Sequence, residues 1–318
     1  MKIGIVGVGA VGSACLLSLV TRGVARQIVV VDKNRERAKG VVTDIQYGAV
    51  LSHAVEVHEG DYSDLAGAEL VMITAGVNEK AGGATDRSDP AGRLRLFQTN
   101  AGIYQEIIPQ ILRATPETMI LVVTDPPDPL ADVVRLLGHS RVLSTGTFLD
   151  SLRFRFHLAR RLKLNPASVE AMVLGEHGTS EVFLWSSARV GGRAVLQLIV
   201  EAGHDPEELQ REIENEVRYA NITIIEGIGA SQYGIGMVSA RIAQIVLRDE
   251  RTVVPVGAYS SKYEVTLSLP SVLGRDGVAQ VLEPEMSDQE RQALERSAEA
   301  IKKVVAYLEL KTPQRKTA

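Results

Sequence analysis

Residues 2–22 read KIGIVGVGAVGSACLLSLVTR: a short β-branched run from Lys2 to Val6, then Gly7-x-Gly9-x-x-Gly12, then an apolar pattern of helical period from Ser13 to Arg22. That order predicts strand, tight turn and helix. Each glycine then has a physical role, since one makes the turn, one lets a pyrophosphate approach the backbone, and one lets helix pack closely on strand. The free N–H groups at the start of the helix face an anion. The next apolar run, Gln27 to Val31, ends in Asp32, 20 residues past Gly12. A carboxylate there accepts hydrogen bonds from the two hydroxyls of an adenosine ribose and repels a 2′-phosphate, so NAD is expected rather than NADP.

Outward from this unit, strand and helix signals alternate. Asn34 to Tyr47 has an amphipathic helical pattern, Val55 to Val57 reads as a short strand, and Glu69 to Thr74 as a buried strand followed by Ala75-Gly76. Arg93 to Ala114 reads as a helix, Thr118 to Val123 as a strand and Arg141 to Leu143 as another. Such alternation predicts an α/β fold with a parallel, doubly wound sheet and ligands at the carboxyl ends of its strands. The stretch Val77 to Gly92 (VNEKAGGATDRSDPAG) has no periodicity and is expected to be a long lid-like loop. Past residue 145 the pattern changes to mixed helices and antiparallel strands: a helix from Thr147 to Leu162, a hairpin around Gly191-Gly192, helices over Pro206 to Glu226 and Gly236 to Arg248, strands at Thr252 to Ala258 and Tyr263 to Leu269, and a closing helix from Ser287 to Leu310. The expected division is a dinucleotide-binding domain over 1–145 and an α+β substrate domain over 146–318.

The 318 residues are 45% hydrophobic and 23% charged, enough for a large core, and the net charge of −4 argues against nucleic acid or an anionic membrane as partner. Small molecules are the expected partners. No run of about 18 apolar residues is present to span a bilayer, and the N-terminal apolar run, broken by glycines, does not read as a signal peptide. The lone Cys15 sits in an apolar helical pattern and fits a reducing compartment, so the expected location is cytoplasmic. The sequence offers no metal-ligand set.

Candidate chemistry centres on Leu174-Gly175-Glu176-His177-Gly178-Thr179-Ser180, directly after the apolar run Val169 to Leu174. An imidazole between glycines at a strand-to-turn junction is open to close approach by a ligand. On the Thr147 to Leu162 helix, Asp150 and Arg153 lie three apart and share a face.

Taken together, GVGAVG at 7–12, Asp32, DIQYG at 44–48, TAG at 74–76, GRLRLFQTN at 92–100, STGTFLDSLRFR at 144–155 and LGEHGTS at 174–180 resemble the L-lactate dehydrogenases of the lactate/malate dehydrogenase superfamily, over nearly the whole chain. The resemblance implies a Rossmann domain followed by an α+β domain, a homotetramer or homodimer, and an NAD-dependent exchange between an L-2-hydroxy acid and its 2-oxo acid. It implies that His177 is the proton donor and acceptor, Asp150 its paired acid, Arg153 the group that grips the substrate carboxylate, and Arg93 the lid arginine that polarises the carbonyl. Thr74, Ala75 and Gly76 fall on the cofactor side, and Ser231 matches the residue beside the substrate side chain.

The chain departs from that pattern in several places, of which two bear on the chemistry. Asp125, in Asp125-Pro126-Pro127-Asp128, stands where the family has asparagine. An ionised carboxylate only accepts hydrogen bonds, so Asp125 is expected either to carry a proton or to turn toward a cation such as Arg93; of these, protonation is the expectation. The lid is longer by eight residues, with Glu79 at the usual specificity position and Arg87 in the insertion as an alternative to it. Lactate and pyruvate are the first expectation. Malate or a bulkier 2-oxo acid is an alternative within enzymes, and an NAD-binding regulatory protein one outside them.

Overall fold

The computed structural model describes residues 1–78 and 92–308, and of residues 92 and 93 only the backbone. The chain begins β1 (Lys2–Val6), α1 (Ala10–Arg22), β2 (Gln27–Val31), α2 (Arg35–Ala49), β3 (Glu56–Glu59), β4 (Leu70–Ile73), α3 (Gly92–Ala114), β5 (Met119–Val122), α4 (Pro127–Leu136) and β6 (Val142–Ser144). These six strands lie side by side in the order β3-β2-β1-β4-β5-β6, all parallel. That is the strand order of a doubly wound nucleotide-binding fold, as the glycine pattern predicts. Every residue of β4 and β5 is buried, because helices cover both faces of the sheet. Cys15, Leu16 and Leu19 of α1 and Val42 of α2 pack on one face, Phe97 and Tyr104 of α3 and Leu130 of α4 on the other.

The second half continues with α5 (Phe148–Leu162), β7 (Val169–Glu170), β8 (Val173–Leu174), β9 (Val182–Phe183), β10 (Arg189–Val190), β11 (Arg193–Ala194), α6 (Val195–Glu201), α7 (Pro206–Arg218), α8 (Ala220–Ile228), α9 (Tyr233–Arg248), β12 (Thr252–Ser260), β13 (Val265–Gly274), β14 (Gly277–Val281) and α10 (Asp288–Ala306). β12 joins the parallel sheet antiparallel to β6, through Gly257 opposite Ser144, and β13 and β14 extend it. One sheet of nine strands therefore runs from the glycine loop into the second half of the chain. α9 also crosses α1 closely: a Cβ on Gly236 would lie 2.7 Å from the carbonyl carbon of Ala14.

Several elements differ from the sequence expectation, each for a local reason. The apolar run at 169–174 is two strands in different sheets, because β7 pairs with β10 and β8 with β9. The helix expected from Pro206 to Glu226 breaks at Tyr219, which has φ −108° and ψ 10°. α4 is absent from the periodicity reading because its first turn is Pro127-Asp128-Pro129, residues that signal a turn; proline is tolerated there since the first N–H groups of a helix have no internal partner. The closing helix starts from a capping box, in which Ser287 accepts from the Glu290 N–H and Glu290 from the Ser287 N–H. The expected lid lies outside the described residues except at its ends, and so do Glu79 and Arg87.

Candidate active site

The carboxyl ends of the parallel strands converge on a cavity of about 560 Å³, and Gly9, Thr74, Asp125, Arg153, His177 and Ser231 are among the residues that line it. At the end of β1, Gly7 has φ +92° and presses on Ala75, whose N would lie 2.5 Å from a Cβ at Gly7. A Cβ at Gly12 would meet the Gly7 carbonyl oxygen at 2.2 Å, whereas one at Gly9 would meet nothing within 4 Å. The first and third glycines are thus fixed by packing, and the middle one opens the backbone toward the cavity. α1 starts without a side-chain cap, so its first N–H groups are left for an anion at that opening. A dinucleotide pyrophosphate fits this cradle. Asp32, at the end of β2, accepts from the Val8 N–H at 2.7 Å and the Asn34 N–H at 2.8 Å, which fixes its carboxylate beside the glycine loop.

Thr74 ties β4 to the glycine loop by donating to the Gly7 carbonyl at 2.5 Å. Gly76 abuts Thr124 so closely that a Cβ would lie 2.4 Å from the threonine methyl. Asn100 of α3, fully buried, donates to the carbonyls of Asp125 (2.8 Å) and Val77 (3.2 Å) and accepts from the Val77 N–H (2.7 Å), so it pins two cavity loops together. Arg93 falls in the first turn of α3, and its side chain lies outside the described residues.

On α5, Arg153 Nη1 donates to Asp150 Oδ1 at 2.9 Å, while the other oxygen of Asp150 lies 2.6 Å from His177 Nδ1. Asp150 is 1% exposed. Burial alone would raise its carboxyl, but the charges of His177 and Arg153 and their hydrogen bonds hold it below the usual range. Burial alone would likewise lower the imidazole; the charge and hydrogen bond of Asp150, with a further contribution from Asp125, outweigh it and lift His177 to about 10. Asp125 Oδ1 is 4.0 Å from His177 Nε2. Of the two expected arrangements this is the one turned toward a cation, the cation being the His177 imidazolium.

The turn that carries His177 is anchored on three sides. Gly175, with φ +85°, bridges to Ser268 of β13, and Ser297 of α10 accepts from the Glu176 N–H at 2.9 Å. The His177 N–H donates to Asp128 Oδ2 at 2.7 Å, and Ser144 donates to Asp128 Oδ1 at 2.5 Å. Asp128 is fully buried, and burial pushes its carboxyl up to about 7 against those hydrogen bonds. The sequence reading leaves Asp128 as the end of a turn. Its only sequence signal is an acid in the first turn of a helix that the prolines conceal.

A nucleotide-binding sheet whose cavity also holds a carboxylate-paired histidine and a partly buried arginine defines a dinucleotide-dependent dehydrogenase class of site. The NAD-binding domain family of lactate/malate dehydrogenases matches residues 1–142, and the alpha/beta C-terminal domain family of the same enzymes matches residues 147–310. The chain belongs to the lactate/malate dehydrogenase family, and its N-terminal part is an NAD-binding domain. It is 43% identical to an L-lactate dehydrogenase of Thermus aquaticus, covering 97% of this chain and 99% of that one, and 42% identical to one of Deinococcus radiodurans, covering 94% and 96%. A crystal structure of the minor L-lactate dehydrogenase from Enterococcus mundtii superimposes with a TM-score of 0.89 at 32% identity, over 97% of this chain and 98% of that one.

Proposed function

We propose that this protein is an NAD-dependent oxidoreductase that interconverts L-lactate and pyruvate. The observation that carries the reading is the Asp150–His177 contact of 2.6 Å beside Arg153, in one cavity with the glycine loop. Residues 1–145 hold the cofactor and residues 146–318 supply the acid–base and carboxylate-binding groups. Bound NADH supplies the hydride.

The residues of the chain divide the remaining work. The Arg153 guanidinium presents a planar fork that binds the substrate carboxylate bidentately. Asp150 accepts from Nδ1 of His177, which leaves the Nε2 proton directed to the 2-oxo oxygen; in the reverse direction neutral His177 takes the hydroxyl proton. Arg93 adds positive charge where the alkoxide develops. Ser231 borders the substrate side chain. The names of the relatives favour lactate over the malate, bulkier-acid and non-enzymatic alternatives. The test is NADH oxidation against a panel of 2-oxo acids: pyruvate should have the highest kcat/KM, and preference for oxaloacetate, or no turnover with any member, would overturn the reading.

We further propose a cytoplasmic homo-oligomer, a homotetramer or homodimer. Leu17 of α1, Tyr47 of α2, the adjacent Val50 and Leu51, and Tyr233 and Met237 of α9 are large apolar side chains left exposed. Burial of Cys15 as a free thiol supports a reducing compartment. Among the described residues no helix is long and apolar enough to cross a membrane.

A further inference from the structure

Beside the Asp150–His177 pair lies an acid for which neither the sequence nor the reaction provides a role. Glu181, immediately before β9, is 4% exposed, and its Oε1 is buried without a hydrogen-bond partner. Its carboxylate, an Asp150 oxygen and a His177 ring nitrogen all lie within 4.8 Å of one another.

The charged groups that face Glu181 are Asp150 and Arg153 of α5, Arg218 of α7 and His177 on its own loop. Neither arginine delivers an N–H to the carboxylate. Arg153 donates to Asp150, while Arg218 donates to Glu214 at 3.0 Å and to the backbone carbonyl of Glu181 at 3.2 Å. An ionised carboxylate buried without a donor costs several kcal/mol, on the order of what protonation relieves. Burial first, and the charge of Asp150 next, push this carboxyl well above the usual range, with His177, Arg218 and Arg153 opposing.

We propose that Glu181 is a proton-carrying positioning residue: a neutral acid beside the Asp150–His177 pair at neutral pH, which ionises in alkali and then helps keep His177 protonated. While neutral, it leaves Asp150 as the one anion at Nδ1 and adds no repulsion to that carboxylate. Once ionised, its charge favours the imidazolium, and the alkaline loss of 2-oxo acid reduction is delayed. The effect on turnover rests on the dehydrogenase reading; the protonation of Glu181 does not.

Glu181→Gln is the matched variant, since it keeps the size of the neutral acid and cannot ionise. The alkaline limb of kcat/KM for pyruvate reduction should move to lower pH by on the order of half a unit to one unit, which a merely space-filling role would not produce. The infrared spectrum at pH 7 should lose one carbonyl stretch of a protonated carboxylic acid, while any band from Asp128 stays. The infrared readout needs no substrate, so it separates failure of this proposal from failure of the dehydrogenase reading. An unmoved limb, an unchanged infrared spectrum, or a variant that cannot fold at pH 7 would each overturn the proposal, the last because glutamine, like a neutral acid, is uncharged and presents a carbonyl acceptor and a donor in the same volume.

Discussion

Asp125 Oδ1 stands 4.0 Å from His177 Nε2 while Asp150 Oδ2 stands 2.6 Å from Nδ1 of the same ring, so the imidazole is held between two carboxylates. Both favour the protonated form, and together they overcome the burial that would lower it. The free enzyme is therefore loaded with the proton that reduction needs. Pyruvate reduction should hold through neutral pH and fall as pH rises through about 10, and lactate oxidation should rise over the same interval. Asp125→Asn removes one of the two charges and should move both limbs to lower pH by on the order of one unit. Limbs at the wild-type pH would show that Asp125 does not act on His177.

The same histidine gives a stability prediction with a defined sign. Its folded value, about 10, exceeds the ordinary 6.5, so its contribution is fully present below 6.5 and is lost as pH rises toward 10. Asp128 acts lower on the scale: its carboxyl, raised from 3.8 to about 7, makes the folded state hold a proton that the unfolded state releases, so stability declines across that window. Asp128→Asn should remove its share of the decline between about pH 4 and 7, leaving that of Glu181, while weakening the hold on the His177 backbone, at a cost of about 1–3 kcal/mol for an unsatisfied donor. Urea midpoints of the two proteins across that range decide it; parallel curves would remove Asp128 as the titrating group.

Arg153→Lys keeps the charge and loses the fork, one N–H of which donates to Asp150 while the rest is left for a substrate carboxylate. kcat/KM for pyruvate should fall by on the order of a hundredfold or more, far beyond a surface charge swap, where about 1 kcal/mol is the ordinary ceiling. Wild-type kinetics would take Arg153 out of the site.

The cofactor preference depends on Asp32, whose carboxylate is held in place by the N–H groups of Val8 and Asn34. A fixed anion there should exclude a 2′-phosphate by a like-charge contact costing on the order of several kcal/mol. NADH should therefore be strongly preferred over NADPH, and Asp32→Ser should narrow the gap. Equal kcat/KM with the two cofactors would contradict this reading.

Much of the site was legible in the amino acids because its signals are short-ranged. The three glycines, Asp32 at the end of its strand and the three-residue spacing of Asp150 and Arg153 each act within one turn or one strand–turn–helix unit, the range over which steric limits and helical period operate. Tertiary structure decided the rest. Asp128 meets the backbone of a residue 49 positions away, and Asp150 meets an imidazole 27 positions away. Neither contact has a local periodicity, since each exists only where the first turns of α4 and α5 meet the turn that follows β8. The same cause split the apolar run at 169–174 between two sheets and joined β12 to β6, because strand pairing depends on which edges are free once the core has formed rather than on the strand's own sequence. Asp125 shows both levels at once: the sequence identified it as the residue that fits the family least, and the fold placed its carboxylate against His177, where its charge acts on the proton of the reaction.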